Sequence, residues 1–248
     1  MRNVEQWRST KFVQTPKGLR ASRDRKHVCT ESRFIADIVA AHYARALQCH
    51  ARGRLLDLGC GHAPLYEIYR DLASENVCVD WHNTFHVNPF LDQTIDLNGE
   101  WPFEPASFDT ILLTDVLEHI AEPMNVMRQV AVVLRPKGKL ILGVPFFYWL
   151  HEEPHDYCRY TRHALRRFCD LAGLRVVDLE PYGGLPEVLL DLTSKGLELL
   201  PRPLAASLRP LHSLAVSVNG TMPCRKFSYW SREEFPLGYV LIAQKPGA

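Results

Sequence analysis

No Cys-x-x-Cys pair occurs in this sequence, and its seven cysteines (Cys29, Cys49, Cys60, Cys78, Cys158, Cys169 and Cys224) are odd in number and scattered. That pattern excludes a zinc ribbon or a dithiol redox motif and reads as reduced thiols. No apolar run approaches the ~20 residues needed to span a bilayer. The stretch Met1-Arg2-Asn3-Val4-Glu5-Gln6-Trp7 lacks the apolar core of a secretion signal, so a cytoplasmic location is expected. Internal repeats and low-complexity tracts are absent as well. With 46% apolar residues, 23% charged residues and a formal charge of +1, the composition excludes disordered and fibrous classes but names no partner.

What is present is an uneven charge. Residues 1–54 carry 12 Lys and Arg against 4 Asp and Glu, whereas the remainder carries 17 against 24. A basic segment suits nucleic acid or an anionic lipid surface, and it also suits a solvated helical face. No RNA-binding signature accompanies it. Residues 1–31 show no sustained period and are expected to form an arm or short helices. From Ser32, a candidate N-cap, the apolar positions Phe34, Ile35, Ile38, Val39, Tyr43, Ala46 and Leu47 fit one face of a helix. We therefore divide the chain into a basic arm and helix over 1–53 and a main domain over 54–248.

In that main domain short apolar runs alternate with amphipathic stretches. Strands are expected at 55–58, 76–80, 110–113, 139–144, 174–179 and 238–243, with helical patterns near 64–74, 119–134 and 161–172. The strand runs are continuously apolar rather than alternating, which indicates burial on both faces, as in a parallel sheet covered by helices. A doubly wound α/β fold follows. The connection over 185–236 is too long for a simple loop, and Pro201, Pro203, Pro210 and Pro223 punctuate it, so a helical insert or lid is expected there.

Leu55-Leu56-Asp57-Leu58-Gly59-Cys60-Gly61-His62-Ala63-Pro64 reads as a buried strand, a glycine turn and a helix start. Glycines let the backbone approach a ligand closely. A carboxylate at Asp57, at the strand's carboxyl end, suits a ligand with an ammonium group and would repel a pyrophosphate. Asp80 closes the next strand 23 residues later, where it can accept hydrogen bonds from both hydroxyls of a ribose.

Residues 54–146 resemble class I S-adenosylmethionine-dependent methyltransferases of the type-11 group. The likeness runs through Leu56–Gly61, Val79-Asp80, Ile95-Asp96-Leu97, Phe103–Asp109, Asp115-Val116-Leu117-Glu118-His119-Ile120 and Val133–Leu140. It implies a seven-stranded Rossmann-like sheet whose last strand is antiparallel, and S-adenosylmethionine as cofactor. It also implies that Gly59, Cys60 and Gly61 line the methionine part, Asp80 holds the ribose, and Asp96 and Leu97 lie beside the adenine. Asp115 and Val116 would lie near the sulfonium, and Trp81 would add an adenine contact.

Two clusters are candidates for acceptor chemistry. Asp115, Glu118 and His119 have the i, i+3 and i+4 spacing that puts three side chains on one side of a helical turn. Some relatives hold a divalent metal at such a motif and others need none. Oxygen and imidazole donors would suit Mg²⁺, Mn²⁺ or Zn²⁺, and His119 alternatively serves as a base. The second cluster is His151-Glu152-Glu153-Pro154-His155-Asp156-Tyr157-Cys158-Arg159-Tyr160-Thr161. There His155 can take a hydroxyl proton with Asp156 orienting its ring and Arg159 pairing with an acidic substrate group. Equally, Asp156 and Arg159 can pin the loop to Thr161. Phe227, Tyr229, Trp230 and Phe235 in the insert either cap an acceptor or pack on their own domain. The expectation is methylation, at oxygen, of a small molecule or glycan precursor. The alternatives are a tRNA or rRNA methyltransferase and a cofactor-binding partner subunit without catalysis of its own.

Overall fold

The computed structural model describes residues 1–82 and 88–247. The basic arm contains a hairpin that its lack of period does not announce, β1 (Phe12–Thr15) and β2 (Gly18–Ala21). Only Phe12 and Leu19 bury bulky side chains, so four-residue strands leave too few alternations to read. The pair packs on α1 (Arg33–His50). Ser32 precedes α1 as expected, but its side chain makes no capping bond, because residues 30–32 already form a 3-10 turn that leads directly into the helix.

β3 (Gly53–Leu58), β4 (Ala73–Asp80), β6 (Phe108–Thr114) and β7 (Leu134–Pro145) form at the expected apolar runs, with the two-residue β5 (Gln93–Thr94) between the second and third of them. β8 (Arg175–Tyr182) and β9 (Gly238–Gln244) complete a seven-stranded sheet of order β5-β4-β3-β6-β7-β9-β8. Strands β5 to β7 run parallel, and β9 pairs antiparallel with both β7 and β8. This is the arrangement the resemblance implies. The helix pattern at 64–74 shortens to α2 (Tyr66–Tyr69), whereas α3 (Pro123–Val133) and α4 (Arg162–Leu171) sit within their expected windows. Thr161 caps α4 by accepting from Ala164 N at 3.2 Å.

Residues 185–236 fold into α5 (Leu185–Leu199), α6 (Arg202–Asn219) and α7 (Met222–Ser231), each with a proline in its first turn. Proline is tolerated there because the first-turn N–H groups have no intrahelical partner. Thus Pro203 and Pro223 mark helix starts, while Pro210 lies inside α6. No helix among the described residues is long and apolar enough to cross a membrane.

The sheet divides two cores. Leu55, Cys78, Leu112 and Ile141 face α1, α2 and the hairpin, and Leu56, Leu58, Ile111 and Leu140 face α3 and α4. This alternation decides the place of Asp57. Following Leu55 by two, it points to the α1 and α2 side, where Tyr69 Oη donates to its Oδ2 at 2.8 Å. It is not among the described residues lining the ligand cleft, and neither is Cys60, which is buried. Neither side chain therefore takes the place on the cleft wall that the sequence suggests for it.

Two consequences can be measured. Gly143 on β7 lies directly against the Tyr43 ring of α1, so a methyl group there would run into that ring. Gly143→Ala is expected to cost about 1–3 kcal/mol, read as a lowered urea midpoint with unchanged slope. Burial raises the Asp57 carboxyl to about 7, overcoming the opposing hydrogen bond from Tyr69. Its ordinary value is 3.8, so its contribution to stability is fully present below that pH and is lost as pH rises to about 7. Asp57→Asn should therefore stabilise the protein relative to wild type at pH 8 and not at pH 4. Equal midpoint shifts at both pH values would contradict the buried, protonated carboxyl.

Candidate cofactor and active-site cleft

The carboxyl ends of β3, β4 and β6 surround a cleft of ≈ 850 Å³, part of it open to solvent. Gly59, Gly61, Asp80, Trp81, Asp96, Leu97, Asp115, Val116, His119 and His155 line it, so ten of the expected positions converge. Asn98, Ile120 and Glu152 line it too and had no assigned role.

The glycine turn is constrained from both sides. Gly59 (φ 65°) and Gly61 (φ 50°) adopt the left-handed conformation that favours glycine. A Cβ at Gly59 would stand 2.6 Å from Val116 Cγ2, whereas one at Gly61 would meet nothing within 4 Å. The first glycine is needed for packing and the second leaves the cleft open. Ala63 is buried and also left-handed (φ 48°).

The amides of this turn are engaged within the protein. Gly59 N and Cys60 N both donate to Val79 O, at 2.9 and 3.1 Å. Gly61 N donates to Asp80 Oδ2 at 2.9 Å, and Trp81 N to Asp80 Oδ1 at 2.8 Å. A phosphate-binding turn keeps such N–H groups for the anion; here a carboxylate takes one of them. With Asp96 and Asp115 also on the wall, the cleft suits a cationic, hydroxyl-bearing ligand. These residues fit S-adenosylmethionine.

Asp115, Glu118 and His119 do not share a helical turn. Asp115 has left-handed backbone (φ 54°), and only Leu117–His119 form a 3-10 turn. Asp115 Oδ1 accepts from Tyr43 Oη at 2.6 Å and Oδ2 from Lys11 Nζ at 3.1 Å, so α1 and the basic arm fix it. Burial, helped by the nearby Asp115 charge, raises the Tyr43 hydroxyl well above its ordinary range and keeps it a donor. Glu118 turns inward and is fully buried, which raises its carboxyl well above the usual range, with the Asp115 charge adding to the effect.

The loop after β7 wraps over this turn, Tyr157 N donating to Glu118 O at 2.9 Å. His155 lines the cleft with its Nδ1 3.0 Å from Tyr157 Oη and its ring edge-on to Trp81 at 5.0 Å. Asp156 does not orient that ring. Its Oδ2 accepts from His151 N at 3.0 Å and lies 3.3 Å from His151 Nδ1, and Arg159 grips both its oxygens. Against the opposing effect of burial, the Arg159 hydrogen bonds hold the Asp156 carboxyl down at about 2. Arg159 also donates to the carbonyls of Trp149 and Cys158, so it pins the loop rather than waiting for an acidic substrate. His151, quoted within the motif but given no role, is thus the partner of Asp156; only its place in a segment dense in titratable groups hinted at that. Phe227, Tyr229, Trp230 and Phe235 are exposed, and none is among the described residues lining the cleft.

The sequence matches the profile of a methyltransferase domain over residues 30–179. A ubiquinone biosynthesis O-methyltransferase of Xanthomonas euvesicatoria is 34% identical over 106 residues, 38% of this chain and 43% of that protein. One from Parvibaculum lavamentivorans is 25% identical over 179 residues, 60% of this chain and 71% of its own. The chain thus spans less than half the length of the first relative and over two thirds of the second. Among solved structures, an S-adenosylmethionine-dependent methyltransferase from Archaeoglobus fulgidus superposes with a TM-score of 0.53 at 16% identity, covering 87% of this chain and 97% of that one. The [4+2]-cyclase SpnF superposes at 0.52 with 20% identity, covering 87% and 84%. The profile match spans more than half the sequence and agrees with the sheet order and the acidic cleft, so the chain belongs to the class I S-adenosylmethionine-dependent methyltransferases.

Proposed function

We propose that this methyltransferase acts on a hydroxyl oxygen of a small molecule, a sugar or phenol, with His155 as the base that takes the proton. The observation that carries this reading is His155 on the wall of the cleft, fixed by Tyr157 on one ring nitrogen and by an edge-to-face contact with Trp81. The O-methyltransferase activity named for the curated relatives supports an oxygen acceptor. When bound, the cofactor supplies a methyl group on a cationic sulfur, a good leaving group.

The protein's own task is then placement and proton removal. Asp80, positioned by the amides of Gly61 and Trp81, would accept from the ribose hydroxyls, and Asp96 and Leu97 would border the adenine. Asp115, held by Tyr43 and Lys11, would face the charged end of the donor, and Gly59 and Val116 close the floor beneath it. His119 is tied through Nδ1 to His155 O at 2.9 Å, so it shares the loop that positions the base. Asp156 acts through His151 and Arg159 and is a positioning residue.

Calorimetry with S-adenosylhomocysteine should show binding that Asp80→Ala weakens by roughly ten- to a hundredfold, the worth of one or two hydrogen bonds to a charged group; unchanged affinity would remove the ribose assignment. In an acceptor screen of catechols and sugar nucleotides, His155→Gln should lower kcat by about 10²–10⁴ while cofactor affinity stays within threefold of wild type by the same calorimetry. Loss of cofactor binding together with turnover would instead make His155 part of the cofactor site.

A further inference from the structure

We infer that Glu118, His119 and His151 form a three-ligand site for a divalent transition-metal ion beside the cleft, which His119 lines. Glu118 Oε1 lies 3.8 Å from His119 Nε2 and 4.0 Å from His151 Nε2, and one ligand atom from each residue falls within 4.8 Å of the others. The Glu118 side chain has no solvent exposure, and neither of its oxygens has a hydrogen-bond partner among the described residues. A buried carboxylate left without partners is strongly disfavoured, so an unrecorded partner is the physical expectation.

The two imidazoles say what that partner is. His119 Nδ1 faces the carbonyl of His155 at 2.9 Å, which can only accept, so Nδ1 carries the hydrogen. His151 Nδ1 faces two acceptors, Trp149 O at 3.3 Å and Asp156 Oδ2 at 3.3 Å, and carries its hydrogen for the same reason. A neutral imidazole protonated on Nδ1 presents a lone pair at Nε2. Two lone pairs and a carboxylate therefore converge, an arrangement that a cation resolves. Direct bonds among the three do not, because 3.8 and 4.0 Å are too long for hydrogen bonds.

The surroundings are those of a metal centre. Histidine ligands usually donate their second nitrogen to a carbonyl or carboxylate, which fixes the tautomer. Both do so here, and Arg159 locks the Asp156 carboxylate behind His151. Two imidazoles and one carboxylate make an open set, leaving positions for water or an acceptor oxygen. Bonds of about 2.0–2.2 Å in a tetrahedral set imply ligand spacings of about 3.3–3.6 Å, so the Glu118 oxygen would close on each imidazole nitrogen by about half an ångström. Asp115, three residues before Glu118, is not a ligand, since Tyr43 and Lys11 occupy its carboxylate.

The test uses the full chain without cofactor or acceptor, so its outcome is separate from that of the methyl-transfer reading. Protein stripped with a chelator is loaded with Co²⁺ or Zn²⁺, dialysed, and analysed for bound metal, visible cobalt absorption and melting temperature. Wild type should retain about one ion per chain and melt at a higher temperature once loaded. His151→Gln, on a surface loop, and Glu118→Gln should each lose the cobalt bands and most of the retained metal, while His27→Gln, remote from the cluster, should keep both. Retention below about a tenth of an ion in the wild type, or full retention in His151→Gln, overturns the site. If Glu118→Gln does not fold, His151→Gln decides alone.

Discussion

The cleft depends on the turn after β3 presenting no side chain of its own where the Val116 side chain packs against it. Gly59 ends β3 in a left-handed conformation with its α-carbon against Val116, and a Cβ there would stand 2.6 Å from Val116 Cγ2. That contact holds the β6 tip beside the β3 turn. It thereby sets where Asp115 leaves the sheet, and Asp115 in turn is bound by Tyr43 from α1 and Lys11 from the arm. Four segments far apart in sequence meet at this point. Any larger residue at 59 would spread the tips and loosen each group that depends on them.

Charge at the same edge separates this site from nucleotide-phosphate sites built on similar folds. A glycine turn before a helix ordinarily offers free amides to an anion. Here Val79 O and Asp80 take the turn amides, and α2 is a single turn of four residues, too short for an appreciable dipole. The turn has become a holder for a carboxylate. The fold by itself does not choose the reaction, since a [4+2]-cyclase shares it at a TM-score of 0.52. The loop after β7 sets His151 beside Glu118 and His155 against Trp81, and the proposed chemistry rests on those groups.

The sheet was legible because its strands are buried on both faces, so apolar runs such as Leu140–Val144 stand out without knowledge of neighbours. The hairpin and β5 were not, being too short for a period to show. Asp57 illustrates a different gap. Its position at a strand end could be read, but which sheet face it addresses depends on the partner core, and Tyr69 claims it on the side away from the cleft. Asp115, Glu118 and His119 looked like one helical face until a left-handed residue broke the turn and sent the two acids in different directions. Of the two sequence readings of Asp156, orienting His155 or pinning the loop with Arg159, the contacts are those of the second, with His151, five residues away, as a further partner. Backbone turns, more than residue types, decided these cases.

The positive arm follows from the same reasoning. Its excess charge lies against a negative remainder, and the contacts pair them: the Met1 amino group with Asp92, Lys11 with Asp115, Arg45 with Glu180 and Arg54 with Glu75. Trp7 adds an indole N–H to the carbonyl of Ala63 at 3.2 Å, behind the glycine turn. The more exposed of these pairs contribute little stability, yet the Lys11 pair reaches a carboxylate on the cleft wall. A charge imbalance that suggests a polyanionic partner when read along the chain is, in three dimensions, partly a complementarity between the arm and the acidic edge it covers. Attaching the arm there places a lysine and, through α1, a tyrosine hydroxyl on the carboxylate nearest the proposed site of methyl transfer, so the arm helps to build the site.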